Sequence, residues 1–374
     1  MHKNYILGFV FFLICSNFVF AQGSLHASAW EKAENRVPLT DKECHEVAER
    51  IHREYIIFDS HNDTALWTNN PNGEYTVKKG QCSFDYMKKG GVDGAFFALY
   101  LEQAERDDKS LDSVYSFITE QIKLFKKNVE KNEDVSVAYS VKDVLRLKNE
   151  EKKFVVFAVE NSYAIGKDIS KIDSLYELGV RYITLSHNSD NDICDAAVSN
   201  TNSYNGLSKL GVKAIKRMNE IGMIIDVSHA STKTLKDVTR ISKYPIIASH
   251  SAVKAICNNK RNLTDKEIKL IAKKGGVIQI AAVSFFLSNL PDKNITIKHL
   301  ADHIDYVKNL VGADHIGLGT DFDGGGGIVG MDNYSEVKNL TAELLKRGYT
   351  PKEIQKFWGG NLLRVWEQVS KNKN

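Results

Sequence analysis

The residues of this chain that are able to do chemistry stand at the ends of apolar runs. Asp59-Ser60-His61-Asn62-Asp63, Val159-Glu160, Ser186-His187, Ser228-His229, Ser249-His250 and Thr320-Asp321 each close a short hydrophobic segment with imidazole or carboxylate groups. One such histidine alone is ordinarily a half-buried, hydrogen-bonded side chain. Several histidines and carboxylates crowded at one rim would repel or be desolvated at a cost of roughly several kcal/mol, and a divalent cation resolves that conflict. His61-x-Asp63 has the period of an extended segment, so both side chains project to one side and can grip one ion. Imidazole and carboxylate ligands without thiolate favour zinc, with manganese, cobalt or iron as alternatives. His61, Asp63, Glu160, His229 and His250 exceed the usual ligand number of one catalytic zinc; two ions sharing Glu160 account for them. Such a pair, about 3.5–4 Å apart, lowers the pKa of a shared water from ~15.7 toward ~7 and supplies a nucleophile at neutral pH.

The elements that position these groups follow a regular rhythm. Strand-like runs begin at Ile56, Gly94, Phe154, Tyr182, Met223, Ile246, Val277 and His315, separated by amphipathic stretches such as Leu207 to Ile221, Thr264 to Lys274 and Ile297 to Val311. Alternating β and α segments of this kind predict a parallel sheet buried on both faces, closed as a (β/α)8 TIM barrel of the metal-dependent hydrolase type. All strands of such a barrel open their carboxyl ends onto one face, where active sites sit, so residues some 260 positions apart converge. With 43% hydrophobic and 26% charged residues, the 374-residue chain can bury a large core. No Pro-rich or Gly/Ser-rich linker divides it, and residues 51–374 read as one domain behind a polar leader, 22–50, able to pack on the barrel as a helix.

Residues 1–21, with Lys3, an apolar stretch from Ile6 to Phe20 and Ala21, read as a secretory signal peptide, which predicts an exported protein, periplasmic or secreted. The carboxyl end has no apolar tail for a GPI anchor. Cys44, Cys82, Cys194 and Cys257 are too sparse for a disulfide framework and match no zinc ribbon. A net charge of +3 without a basic cluster argues against a nucleic-acid partner, and Lys123 to Lys131 reads as an exposed helix. His299-x-x-x-His303 lacks the glutamate of a zincin and reads as a solvated helix face. Gly324-Gly325-Gly326-Gly327 lacks the rest of a phosphate loop and reads as a flexible rim segment.

His61-Asn62-Asp63, Val159-Glu160, Tyr182 to His187, Ile225 to His229, Ser249-His250-Ser251, Lys260-Arg261-Asn262, Gly319 to Gly324 and Gly360 to Val365 together resemble the motifs of the membrane (renal) dipeptidases, in order and approximate spacing from about residue 50 to the end. The resemblance implies a (β/α)8 barrel with two zinc ions that hydrolyses dipeptides and accepts a D-residue at the carboxyl-terminal position. It puts His61 and Asp63 on one zinc, His229 and His250 on the other, and Glu160 between them. It further implies His187 beside the scissile carbonyl, Arg261 on the substrate carboxylate, and Asp321 as the group that takes and returns the proton. Asp323 is the rival for that last role. Asn161-Ser162-Tyr163 departs from the small glycines of many relatives, which predicts a narrower substrate pocket. Hydrolysis of cyclic amides or lactones of the β-lactam type, and a non-catalytic exported binding protein, are the alternative readings; a homodimer is left open.

Overall fold

A computed structural model describes residues 27–69 and 79–371; the expected signal segment lies outside the described residues. Parallel strands β1 (Phe58–Asn62), β2 (Gly94–Tyr100), β3 (Val135–Val137), β4 (Lys153–Glu160), β5 (Val180–Thr184), β6 (Ile224–Asp226), β7 (Ile247–Ser251), β8 (Val277–Ile280) and β9 (Ile316–Leu318) form one sheet in the order β1-β2-β4-β5-β6-β7-β8-β9, with β3 attached to β4 outside this path. Beyond the end of β9 a parallel bridge joins Phe322 to Asn62, the last residue of β1, and Asp63 N–H donates to Phe322 O at 2.8 Å. The result is a nearly closed eight-strand (β/α)8 barrel, as the rhythm of the sequence predicts. The strand β3 was not among the expected runs; it is three residues long, too short to show a pattern.

Alternation along each strand decides what faces the barrel axis. In β2, Phe96 and Ala98 belong to the inner core while Ala95, Phe97 and Leu99 pack outward under the helices; in β4, Phe154, Val156 and Ala158 are inner and Val155, Phe157 and Val159 outer. Continuing the inner sets upward by two residues reaches Tyr100 and Glu160, so β4 delivers its carboxylate to the mouth. The floor is closed by the helix Asn361–Ser370, whose Leu362, Val365, Trp366 and Val369 join the inner core; the Trp366 ring lies 5.7 Å from that of Phe96.

The helix Asp41–Glu54 runs unbroken across the residue 50/51 position, capped by a Thr40/Glu43 box, and buries Val47, Ala48, Ile51 and His52 against the helix Lys338–Lys346. Among the described residues no helix is long and apolar enough to cross a membrane, and all four described cysteines are free and buried. His303 corrects the expectation of a solvated helix face. It is fully buried, its Nδ1 accepting from Val253 N–H at 2.9 Å and its Nε2 3.0 Å from Leu287 O, while His299 caps its own helix at Thr296.

The seam between β9 and β1 is latched by a buried carboxylate. Asp59 accepts from Thr320 N–H (2.9 Å), Thr320 Oγ1 (2.6 Å) and Tyr334 O–H (2.6 Å). Tyr334→Phe removes a hydrogen bond to a buried charged group and is expected to cost about 1.5–3 kcal/mol in urea unfolding. A change below roughly 0.5 kcal/mol would show that the latch does not hold the seam.

Candidate active site at the barrel mouth

Two of the four rim histidines reach the mouth through irregularities in their strands. Inner-face alternation in β1 selects Phe58 and Ser60, and in β7 Ile247 and Ser249, which would turn His61 and His250 outward. The pairing of β1 with β2 slips between Asp59 and Asn62, and that of β7 with β8 slips between Ala248 and Ser251. Both imidazoles instead face the axis, with ring centroids 3.8 Å apart. His229 (φ 63°), Asp321 (φ 59°) and Asp323 (φ 63°) hold left-handed backbone in the turns leaving their strands. Such conformations in non-glycine residues cost of order 1–3 kcal/mol each and cluster at functional sites.

The six groups expected at the centre converge. Glu160 Oε1 lies 3.0 Å from His229 Nε2 and 3.3 Å from His250 Nε2, which are themselves 2.9 Å apart. The other oxygen, Oε2, faces His61 Nε2 at 3.7 Å; Asp63 Oδ2 and Asp321 Oδ1 are 3.7 and 3.8 Å from the same nitrogen. Two ligands on a tetrahedral zinc with bonds of about 2.0–2.1 Å lie about 3.3 Å apart, the scale of these gaps. His61 Nε2 and Asp63 Oδ1 are buried without a hydrogen-bond partner, which is costly unless a cation takes them. The donor set therefore fits metal. His187 is half-buried above this centre, its ring 4.3 Å from both His229 and Tyr100, with a ligand atom within 4.8 Å of those of Glu160 and His229.

Electrostatics of the protein alone display the same demand for positive charge. Burial opposes protonation of His61, but Glu160, Asp63 and Asp321 overcome it and hold the imidazole pKa up to about 10. Burial drives His229 and His250 well below their usual value, aided by Arg261 and His61 respectively, leaving neutral imidazoles ready to ligate. Burial and the charge of Asp63 push Asp321 well up.

A layer beneath the ligands aims them. His61 Nδ1 lies 2.6 Å from Tyr182 O–H, and His250 Nδ1 lies 2.8 Å from Ser249 Oγ. Asp226 accepts from Ser249 Oγ (2.6 Å), Ser249 N–H (2.8 Å), Thr184 Oγ1 (2.6 Å) and Ser228 N–H (3.0 Å). Neither Asp226 nor Tyr182 was expected at the site; Tyr182 opens its strand-like run and Asp226 lies inside one, where the period-two pattern that puts Ile224 and Asp226 on one face was the available clue. Asp323, the rival of Asp321, points elsewhere, accepting from Thr64 Oγ1 and from Gln81 N–H at 3.2 Å. A Cβ at Gly324 would overlap Asp63 Oδ2, so the start of the glycine run is packed against the carboxylates. Asn161, Ser162 and Tyr163 are buried and turned into the protein: Tyr163 O–H donates to Glu105 O, and Asn161 Oδ1 accepts from Asn191. They do not line the cavity beside His229.

That cavity, about 350 Å³, is walled in part by His229 and Arg261. Arg261 is buried, its guanidinium 5.3 Å from the Phe286 ring centroid, and its Nε has no partner. Burial lowers its pKa to about 10, against the pull of Asp321 and Glu160. A larger cavity of about 910 Å³, walled by Asp173, Arg217 and Tyr244, lies at the opposite end of the barrel, away from these groups.

A parallel barrel with imidazoles and carboxylates converging at its carboxyl end defines a metal-dependent hydrolase. The model of the membrane dipeptidase family, peptidase family M19, matches residues 45–374, and the chain belongs to that family and is a metallo-dipeptidase. It is 30% identical over 361 residues to dipeptidase aclJ of Aspergillus oryzae, covering 92% of this chain and 81% of that one. Mouse dipeptidase 3 is 29% identical over 342 residues, 88% and 68% of the two chains. The crystal structure of the probable dipeptidase PvdM from Pseudomonas aeruginosa superposes with a TM-score of 0.83 at 31% identity, over 88% of this chain and 99% of that one. A metallopeptidase from Rhodobacter sphaeroides, liganded with a phosphinate mimic of L-Ala-D-Ala, shares the fold at 22% identity and a TM-score of 0.75, over 84% and 100% of the chains.

Asp226→Asn turns one acceptor oxygen into a donor beneath His250. Metal affinity measured by competition with a chromophoric chelator is expected to fall about 10–100-fold with the fold intact by circular dichroism. Unchanged affinity would contradict an aiming role.

Proposed function

We propose that the protein is an exported dipeptidase that uses two zinc ions and accepts either an L- or a D-residue at the carboxyl-terminal position. The observation that carries the metal count is the division of Glu160, one oxygen toward His229 and His250 and the other toward His61. When bound, the metals supply an acidified water and polarise the scissile carbonyl. Arg261 anchors the free carboxylate of the substrate through its forked guanidinium, for which burial has already removed competing water. His187, at the edge of the cluster, donates a hydrogen bond to the oxyanion as the carbonyl carbon becomes tetrahedral. Asp321 accepts the proton of the attacking water at a carboxylate oxygen and returns it to the departing amine. Export rests on the pattern of residues 1–21. Among the alternative substrates, simple lactones and cyclic amides lack the free carboxylate that Arg261 is placed to receive, whereas a β-lactam that carries one would engage it, so Arg261→Ala should spare only the former.

Zinc-loaded protein is expected to hydrolyse members of a panel of L-L and L-D dipeptides that includes L-Ala-D-Ala; hydrolysis of L-L members alone would remove the D-residue part of the reading. Asp321→Asn should lower kcat by about 10²–10⁴ while zinc analysis still finds both ions. Glu160→Gln should lose zinc itself, because a neutral amide bridges two cations poorly. Full zinc content in that variant would show that Glu160 is not the bridge.

A further inference from the structure

The cavity beside His229 is electrically unbalanced. Its walls include Arg261, Lys254, Lys260 and Lys233, and Glu267 is the one acid among its described lining residues. Glu267 is engaged elsewhere: its Oε2 accepts from Thr264 N–H and Thr264 Oγ1, both at 2.7 Å, as a helix cap. Lys233 is neutralised by Asp237 at 2.8 Å. Lys254 is half-buried and Lys260 exposed, and neither Lys254, Lys260 nor Arg261 has a carboxylate within 4.0 Å among the described residues. Arg261, Lys254 and Lys260, none of them ion-paired, thus share a space of about 350 Å³ whose described wall holds one acid, where a single cation suffices for the α-carboxylate of a dipeptide.

We propose that the enzyme prefers dipeptides whose carboxyl-terminal residue carries an acidic side chain, the second carboxylate being taken by Lys254 and Lys260. The inference rests on the dipeptidase reading above, with Arg261 as the anchor of the α-carboxylate. A substrate dianion matches the surplus charge of this wall, whereas a neutral side chain leaves Lys254 and Lys260 without a carboxylate partner. Lysines suit the task because an ammonium on a four-carbon stem imposes no fixed fork geometry, so aspartate and glutamate, in either configuration, are within its tolerance. Lys254, partly withdrawn from water, is less screened by salt than a surface lysine.

The test compares near-isosteric pairs, Ala-Glu with Ala-Gln and Ala-Asp with Ala-Asn, each with an L- or D-residue at the carboxyl end, on zinc-loaded protein. The expected kcat/KM ratio, acid over amide, is on the order of tenfold at low salt. It should shrink in about 0.5 M NaCl, where the Debye length falls to a few ångströms. In the double variant Lys254→Met, Lys260→Met the ratio should approach one. Equal turnover of acid and amide, or a ratio untouched by the double variant, overturns the preference and leaves the dipeptidase reading standing. Hydrolysis of no pair at all overturns both.

Discussion

Negative charge gathered out of water at the barrel mouth is the constraint on which the remaining structure depends. Glu160, Asp63 and Asp321 surround one imidazole nitrogen of His61 at 3.7–3.8 Å, and that nitrogen has no hydrogen-bond partner. Three carboxylates in so small and dry a volume are mutually destabilising, and in the protein alone they hold the His61 pKa up to about 10 while burial and Asp63 push that of Asp321 well up. The proposed pair of cations would supply the same compensation without holding those protons, leaving Asp321 free to accept one. The proposed chemistry and the electrostatic demand of the clustered carboxylates are two descriptions of the same arrangement.

Holding such a cluster together demands rigid support, and the floor of the mouth is built for it. Asp226 on β6 ties Ser249 of β7 and Thr184 of β5, while Asp59 on β1 ties Thr320 just past β9 to Tyr334. Each carboxylate is fully buried yet saturated with donors, so its burial cost is met by hydrogen bonds that also fix the spacing of neighbouring strand ends. Left-handed turns at His229 and Asp321 are sustained by the same surroundings.

Much of this was legible in the sequence, for identifiable reasons. Apolar runs buried on both faces mark parallel strands plainly, and ionisable residues at their ends mark the mouth; Glu160 even follows the inner alternation of β4. His61 and His250 do not follow theirs. Their placement depends on slips in strand pairing, which arise from contacts between strands distant in sequence and leave no local trace. Asp226 was missed because it sits inside an apolar run, where a carboxylate looks like an interruption, and Tyr182 because an aromatic residue opening such a run reads as core. His303 was misread because a four-residue histidine spacing identifies a helix face without saying which side of the helix is buried.

The most direct measurement is the anomalous scattering of zinc-loaded crystals at the zinc absorption edge. Two peaks about 3.5–4 Å apart are predicted, one on His61 and Asp63, the other on His229 and His250, with a Glu160 oxygen on each. A single peak, or a pair that Glu160 does not span, would contradict the account.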